Sequence, residues 1–194
     1  MYKWIKDLFP IMRSITGKGV RDTLIYLKKI NNDLIIRSVP SGKKFFDWEI
    51  PKEWVINKAY IDDEFGNRII DIQNNNLHVV NYSGPINKIV DFNELQKHLH
   101  SLPNQPGAIP YITSYYKKIW GFCISENQRR KLKKCKYKAY IDSKFINGKL
   151  NYGEIYIKGK LKKEILISTN ICHPSMANNE LSGPVVTTAI CQWL

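Results

Sequence analysis

The chain has 194 residues, of which 43% are apolar, and this content excludes intrinsic disorder as the main class. No apolar run reaches eighteen residues, and residues 1–17 lack the apolar core and the cleavage site of a signal peptide. We therefore expect a soluble, cytoplasmic protein without a membrane partner. The four cysteines form no CxxC pair, which argues against a disulfide framework or a structural zinc knot.

The net charge of +13 raises the question of nucleic-acid binding. Seven cations lie within residues 128–138 and four within 158–163, and clustered Lys and Arg favour phosphate contacts. Lysine greatly outnumbers arginine, however, and no RNP, zinc-finger or KH pattern is present. A solvated helix face and a lysine-rich turn explain the same clusters. The sequence favours this second interpretation, and a basic nucleic-acid-binding protein stays as an alternative.

In the first half of the chain, apolar residues at helical spacing predict a helix over 20–30, after a shorter helix over 2–12. Short apolar segments between turn signals follow from about residue 36 to residue 90 and predict a β-rich module with a hairpin turn at Gly66-Asn67. A short helix is predicted over 91–103, with Asp91 as its N-cap.

In the second half, Ser125 is predicted to begin a helix, and two strands are predicted on either side of a turn at Asn147-Gly148. The apolar segment 163–171 is predicted to be a central strand, and residues 183–194 a buried helix. Strand, polar loop and helix in this order are typical of α/β proteins. Because the last helix is apolar on nearly all sides, we expect the chain to be a fragment of a longer protein.

His173 stands at the end of the predicted central strand. Ligands of open α/β sheets bind at the carboxyl ends of strands, and a neutral imidazole is a common zinc ligand. A histidine hydrogen-bonded in a turn fits the same position, so both interpretations stay open on spacing alone. His78, His98 and His100 lack metal-type partners nearby and are predicted to be structural. A nucleophilic pair of Cys172 and His173 is disfavoured because adjacent strand residues point to opposite faces.

A family resemblance adds to these observations. The segment 153–183 resembles the beginning of the metal site of di-zinc aminopeptidases, where a central strand leads through a histidine to an Ala-Asn-Asp-x-x-Ser-Gly loop. More closely, the chain resembles a bacterial aminopeptidase-like subgroup associated with polysaccharide biosynthesis. The motifs that carry this resemblance are RSITGKGVRDTL, FDWEIPKEW, NNLHVVNYSGP, IPYITSYYKKIWGFC, NYGEIYIKG and CHPSMANNELSGP.

The resemblance implies an α/β fold, the start of a zinc-exopeptidase-like three-layer α/β/α domain with an inserted β-rich module. Residues 1–35 are then the N-terminal helical part of the peptidase-like domain. Residues 36–105 are the inserted module, and residues 106–194 are the peptidase-like α/β core, incomplete at its C-terminus.

The resemblance also implies a metal site. His173 matches the first zinc-binding histidine, and Asn179 falls where the family has the bridging aspartate. An amide cannot bridge two zinc ions as a carboxylate does, but the neighbouring Glu180 supplies a charge if the loop shifts by one residue. Ser175 replaces a second aspartate of the family. The implied cofactor is zinc, as one ion or two, with His173, Glu180 and Asn179 as candidate ligands.

The implied function is that of a zinc-dependent aminopeptidase-like hydrolase that cleaves a peptide or amide bond in a small substrate. As a fragment, the chain is expected to be inactive alone. The alternatives are a non-catalytic binding or scaffold protein of the same fold, linked to polysaccharide biosynthesis, and the basic nucleic-acid-binding protein. Homo-oligomer formation is left open.

Overall fold

The computed structural model describes residues 1–194 and contains five α-helices and ten β-strands. The helices are α1 (Tyr2–Leu8), α2 (Lys18–Ile30), α3 (Phe92–Lys97), α4 (Glu126–Arg129) and α5 (Ser182–Trp193). The strands are β1 (Ile35–Pro40), β2 (Lys44–Phe45), β3 (Trp48–Glu49), β4 (Glu53–Asp63), β5 (Arg68–Asp71), β6 (Ile86–Val90), β7 (Leu99–His100), β8 (Phe122–Cys123), β9 (Tyr137–Ile146) and β10 (Lys149–Glu154). The chain divides into a terminal unit, Met1–Glu53 with Ile146–Leu194, and a central unit, Trp54–Phe145.

The terminal unit is built from helices α1, α2 and α5 and from the antiparallel pair of β1 and β10. In α2 the apolar residues recur every three or four positions, so one stripe of the helix is buried. That stripe joins residues from the other elements in one core: Leu8, Val20, Leu24, Leu27, Leu34, Leu181 and Val185. Gly19 lets α2 approach the preceding backbone, because a Cβ there would lie 2.0 Å from the carbonyl oxygen of Met12.

The central unit contains a four-stranded sheet in the order β5-β4-β9-β6. One face of β4 and β9 carries Ala59, Ile61, Ala139 and Ile141, all of which are buried, as alternation along a strand requires. The hairpin between β4 and β5 turns at Gly66, whose φ of 84° favours glycine. Asp63 supports this turn by accepting hydrogen bonds from the backbone N–H groups of Phe65 and Asn67.

The structure confirms the mixed α/β class and most predicted elements. The hairpin at Gly66-Asn67 is present, and the helix predicted over 20–30 is α2. Asp91 caps α3 as predicted, by accepting the N–H of Glu94 at 2.8 Å. Two helices are shorter than predicted: α1 ends at Leu8, shortly before Pro10, and α3 ends at Lys97. The three-layer α/β/α arrangement and the domain boundaries at residues 35 and 105 stay predictions.

The predicted central strand over 163–171 is not formed. Residues 155–171 contain neither helix nor strand, and residues 156–170 are all exposed. The apolar composition of this segment suits a buried strand, but a strand also needs backbone partners, and no part of the chain pairs with it. No helix of the structure combines the length and the apolar character that a membrane crossing requires.

Candidate metal centre

The loop between residues 172 and 181 folds back on itself before α5 begins. Ser175 and Met176 have φ values of 52° and 49°, which reverse the chain after His173. A π-helical turn over Ala177–Leu181 then leads into α5. Turns of this kind occur frequently at functional sites because they turn side chains out of the α-helical register. Here the turn buries Glu180 and leaves Asn179 exposed.

Glu180 makes most of the polar contacts within the loop, and its side chain is 1% exposed. Its Oε2 accepts hydrogen bonds from the backbone N–H of Cys172 at 2.7 Å and of His173 at 3.1 Å. Its Oε1 lies 2.7 Å from Nδ1 of His173 and 3.8 Å from Sγ of Cys172. A buried carboxylate needs such partners, and Glu180 has partners for both of its oxygens.

The pKa values of the pair follow from these contacts. Burial alone would raise the pKa of Glu180, but the hydrogen bonds and charge of His173 and the N–H groups of Cys172 and His173 lower it below its ordinary value. The Cys172 side chain first and the Glu180 carboxylate second raise the pKa of His173 to about 10, against the effect of burial. With this pKa, His173 holds a proton at neutral pH and forms an ion pair with Glu180.

Arg13 fixes the loop by hydrogen bonds to its backbone carbonyl oxygens. It is 0% exposed, and its guanidinium donates to the carbonyl oxygens of Leu8 at 2.7 Å, His173 at 2.8 Å and Ser175 at 3.4 Å. Burial lowers the pKa of Arg13 to about 10, and the charge of Glu180 opposes this shift. Arg13 is therefore still protonated at neutral pH, and it holds the backbone that carries His173.

The start of α5 is packed against the same loop. A Cβ on Gly183 would lie 1.9 Å from Oγ1 of Thr169, so the Thr169 side chain would have to move if residue 183 were not glycine. Ser182 donates to the carbonyl oxygen of Asn178 and ties the π-helical turn to α5. Gly183 therefore allows Thr169 to lie close to the start of the helix, and Ser182 fixes the turn that precedes it.

Cys172, His173 and Glu180 form the one group of three metal-ligating side chains that the structure brings together. One ligand atom from each of them lies within 4.8 Å of those of the other two. Thiolate sulfur, imidazole nitrogen and carboxylate oxygen are all zinc ligands, and atoms at these separations fit around a single ion after small adjustments. Asn179 Oδ1 lies 3.4 Å from His173 Nδ1, at the exposed edge of the group.

The three predicted ligands, His173, Glu180 and Asn179, are thus brought together, and their role in binding metal stays a prediction. Sequence reasoning missed two neighbours. Cys172 is not among the predicted ligands, and a strand would point it away from His173. Residues 172 and 173 lie outside any strand, however, and both side chains reach Glu180. Arg13 is the first residue of the RSITGKGVRDTL motif, which marks this segment as part of the family resemblance. Nothing in the motif indicates a contact with a residue 160 positions away.

The other histidines make structural contacts. His78 is buried, and its Nδ1 lies 2.8 Å from the carbonyl oxygen of Cys123. His98 stacks on Trp120 with a distance of 3.5 Å between ring centroids. His100 is part of β7 and belongs to no group of metal-ligating residues.

In the basic segment 128–138, both arginines bind within the protein. Arg129 donates to the side chains of Gln96 at 2.8 Å and Ser101 at 3.0 Å, and Arg130 pairs with Glu126 at 2.9 Å. The five other cations of the segment are lysines. The preference for a solvated face over a nucleic-acid-binding stripe stays a prediction.

The chain belongs to the family described as a domain of unknown function, DUF4910, which it matches over residues 2–194. This match covers the terminal unit, the central unit and the loop with Cys172, His173 and Glu180.

Two relatives from Clostridium acetobutylicum are similar over nearly the whole chain. One is named a "putative polysaccharide biosynthesis protein with aminopeptidase-like domain"; it is 47% identical over 194 residues, which are 100% of this chain and 44% of that protein. The other is a crystal structure described as that of a "putative peptidase", with 46% identity and a TM-score of 0.92 over 98% of this chain and 46% of that one. The chain thus spans less than half the length of each relative.

Proposed function

We propose that this chain carries the first part of the metal site of an aminopeptidase-like hydrolase that cleaves a peptide or amide bond. The observation that carries the proposal is the contact of His173 Nδ1 with Glu180 Oε1 at 2.7 Å, with the Cys172 sulfur 3.8 Å from the same oxygen. The names of the two clostridial relatives support a peptidase-like activity. A zinc-exopeptidase-like three-layer fold is part of the proposal.

In this proposal His173 and Glu180 hold one zinc ion, with the thiolate of Cys172 as the third ligand. A bound zinc ion would supply polarisation of the scissile carbonyl and a lowered pKa of its bound water. The residues of this chain prepare the place for it. Arg13 fixes the backbone at His173, and the π-helical turn keeps the Glu180 carboxylate buried beside the imidazole.

Metal content is the direct test. The purified chain is loaded with zinc at mildly alkaline pH, because protons compete for His173, and bound metal is counted by atomic emission after free zinc is removed. We expect one zinc per chain, lost in His173→Ala and weakened in Cys172→Ser. Loading with cobalt(II) adds an independent signal, a sulfur-to-cobalt charge-transfer band that requires Cys172.

Cys191→Ser is the matched control, since Cys191 is a free cysteine on α5 outside the metal-ligating group. This variant should keep both the zinc and the charge-transfer band. Circular dichroism confirms that each variant is folded before its metal is counted. Zinc that stays bound in His173→Ala and Cys172→Ser would contradict the assigned ligands.

We propose further that the isolated chain is catalytically inactive. Glu180 is engaged by four groups of the loop, which leaves it poorly placed to act as a general base toward a substrate. Hydrolysis of aminoacyl-anilide substrates should therefore stay at background with and without zinc. Zinc-dependent turnover that disappears in His173→Ala would refute this part of the proposal.

A non-catalytic scaffold is the second candidate, and one observation favours it. Glu180 pairs with His173 and with two backbone N–H groups, so groups of the loop itself satisfy both oxygens of the carboxylate. As a scaffold, the chain would bind no zinc at any pH, and His173→Gln would change stability only. Stoichiometric zinc in the metal assay would exclude this candidate.

A further inference from the structure

The central unit carries a pocket on the face of its sheet that points away from the core. The pocket has a volume of about 290 Å³ and is lined by Lys58, Tyr60, Arg68, Asp71, Gln73 and Tyr140. Tyr60 on β4 and Tyr140 on β9 alternate along their strands with alanine and isoleucine side chains that are fully buried on the opposite face. The pocket therefore belongs to the central unit, whereas the candidate metal centre belongs to the terminal unit.

Two aromatic rings form the apolar wall of the pocket. Tyr60 and Tyr140 stack with 4.9 Å between their ring centroids and an angle of 24° between their planes. The guanidinium of Arg68 lies 3.8 Å from the centroid of the Tyr60 ring, so Tyr60 is packed by both a ring and a cation. Tyr140 has Tyr60 as its one aromatic partner, and no cation lies over its ring. The second face of the Tyr140 ring is therefore available to a ligand.

The polar groups of the pocket divide into fixed groups and free groups. The Asp71 carboxylate is fixed, because it pairs with Arg68 and accepts the backbone N–H of Gln73 at 2.9 Å. The hydroxyls of Tyr60 and Tyr140, the Lys58 ammonium and the Gln73 side-chain amide make no hydrogen bond or ion pair within the protein. An aromatic pair across two strands stabilises a sheet by itself. The free donors and acceptors around this pair add what a polar ligand needs.

The charges around the pocket favour an uncharged ligand. Lys58 and Arg68 are balanced by the carboxylates of Asp62 and Asp71, and Arg68 already pairs with both of them. A nucleobase could stack on Tyr140, but its phosphate would meet these two carboxylates and an arginine without a free charge. The volume of the pocket is at the lower end of the range for ligand sites, which suits a single ring.

We propose that this pocket binds one hexopyranose unit of an oligosaccharide. A pyranose ring has an apolar C–H face and a rim of uncharged hydroxyl groups. The C–H face would pack on the π face of Tyr140, and the hydroxyl groups would bond the free groups of Lys58, Gln73 and the two tyrosines. The inference does not depend on the proposed hydrolase activity, because no residue of the metal centre takes part in it.

The test is a titration followed by nuclear magnetic resonance. The ¹⁵N-labelled chain is titrated separately with maltotriose, cellotriose, chitotriose and, as the competing ligand class, adenosine monophosphate. We expect at least one trisaccharide to bind with a Kd on the order of 1 mM, which is ordinary for a ligand ring of this size. The amide signals that shift should be those of residues 58–60, 71–73 and 138–142, and the nucleotide should shift none of them.

Tyr140→Ala is the diagnostic variant, and Tyr156→Ala is its matched control. Tyr156 is 77% exposed, stacks on no ring and lies in the terminal unit. Tyr140→Ala should weaken trisaccharide binding by about tenfold or more, because it removes the packing surface, whereas Tyr156→Ala should leave the Kd unchanged.

Gln73→Ala keeps the inference testable if Tyr140→Ala disturbs the sheet. Gln73 is exposed and lies outside the strands, so its replacement leaves the fold intact. This variant should weaken binding by about threefold or more, which is the contribution of one hydrogen bond.

Three results would overturn the inference. The first is the absence of binding by all three trisaccharides, and the second is a Kd that changes neither in Tyr140→Ala nor in Gln73→Ala. The third is binding of adenosine monophosphate at these residues more tightly than any trisaccharide, which would make the pocket a nucleotide site. The outcome of the zinc assay affects none of these results.

Discussion

Replacing Arg13 by methionine should destabilise the terminal unit by about 3–5 kcal/mol. Methionine keeps much of the length and apolar volume of the arginine stem, so the change removes mainly the guanidinium. The positive charge that faces Glu180 from the N-terminal part of the chain is lost with it.

The magnitude follows from the contacts of the guanidinium. Two of its hydrogen bonds, to the carbonyl oxygens of Leu8 at 2.7 Å and His173 at 2.8 Å, are short and charge-assisted, and each contributes about 1.5–3 kcal/mol. The third, to Ser175 at 3.4 Å, is long and adds little. Removing the guanidinium leaves buried carbonyl oxygens without this donor, and the better packing of methionine offsets only part of that cost.

Urea denaturation followed by far-ultraviolet circular dichroism measures the change, and amide hydrogen exchange assigns it to the terminal unit. Exchange should accelerate at residues 8–13 and 172–181, which lie on both sides of the guanidinium. It should stay unchanged in the strands of the central unit. Arg13→Lys should recover only part of the stability, because an ammonium cannot present the planar fork that reaches separate carbonyl oxygens.

Arg37→Met is the control for this experiment. Arg37 also lies in the terminal unit and pairs with a carboxylate, that of Glu154, but both side chains are about half exposed. An exposed ion pair contributes little to stability, so this variant should unfold like the parent chain. If Arg13→Met unfolds like Arg37→Met, the role given to the buried guanidinium is wrong.

Three further predictions concern the framework around the site. Gly19→Ala should cost roughly 1–3 kcal/mol in urea denaturation, because its Cβ would lie 2.0 Å from the Met12 carbonyl oxygen; parental stability would contradict the close approach. Although burial raises the pKa of Glu53, its hydrogen bonds from Arg21 lower that pKa below its ordinary value. The resulting stability is present above the unfolded-state pKa of about 4.5 and is lost as pH falls through the lower folded-state value. Acid titrations of the parent and Glu53→Gln should therefore differ in slope below about pH 5, and identical slopes would refute the contribution. Gly66→Ala should cost about 1 kcal/mol, measured by thermal unfolding, because φ at this turn is 84°.

The elements that the sequence predicted well are those specified locally. The buried stripe of α2 follows from apolar spacing, the start of α3 from the side chain of Asp91, and the β4–β5 hairpin from Gly66. In each of these cases the information lies within a few residues of the feature. Residues 163–171 show the limit of such reasoning, because their composition specifies a strand but only a partner elsewhere can form one.

The candidate site was predictable only in part for the same reason. His173 and Glu180 could be found because they lie seven residues apart in one motif. The contact of Arg13 with the His173 carbonyl spans 160 positions, and no local pattern encodes it. The direction of the Cys172 side chain could not be predicted, because the prediction assumes a strand that the chain does not form.

In the proposed metal site, the charge balance of the loop would favour one ion over two. Glu180 is the only buried carboxylate there, and it already faces the cations of Arg13 and His173. One zinc ion would replace the His173 proton and, with the Cys172 thiolate, would add little net charge to the group. A second ion would bring two more positive charges, and the residue placed to meet them, Asn179, offers a neutral amide oxygen. In the proposed site, Asn179 would therefore offer no counter-charge for a second ion, whereas Cys172, His173 and Glu180 would be sufficient for one.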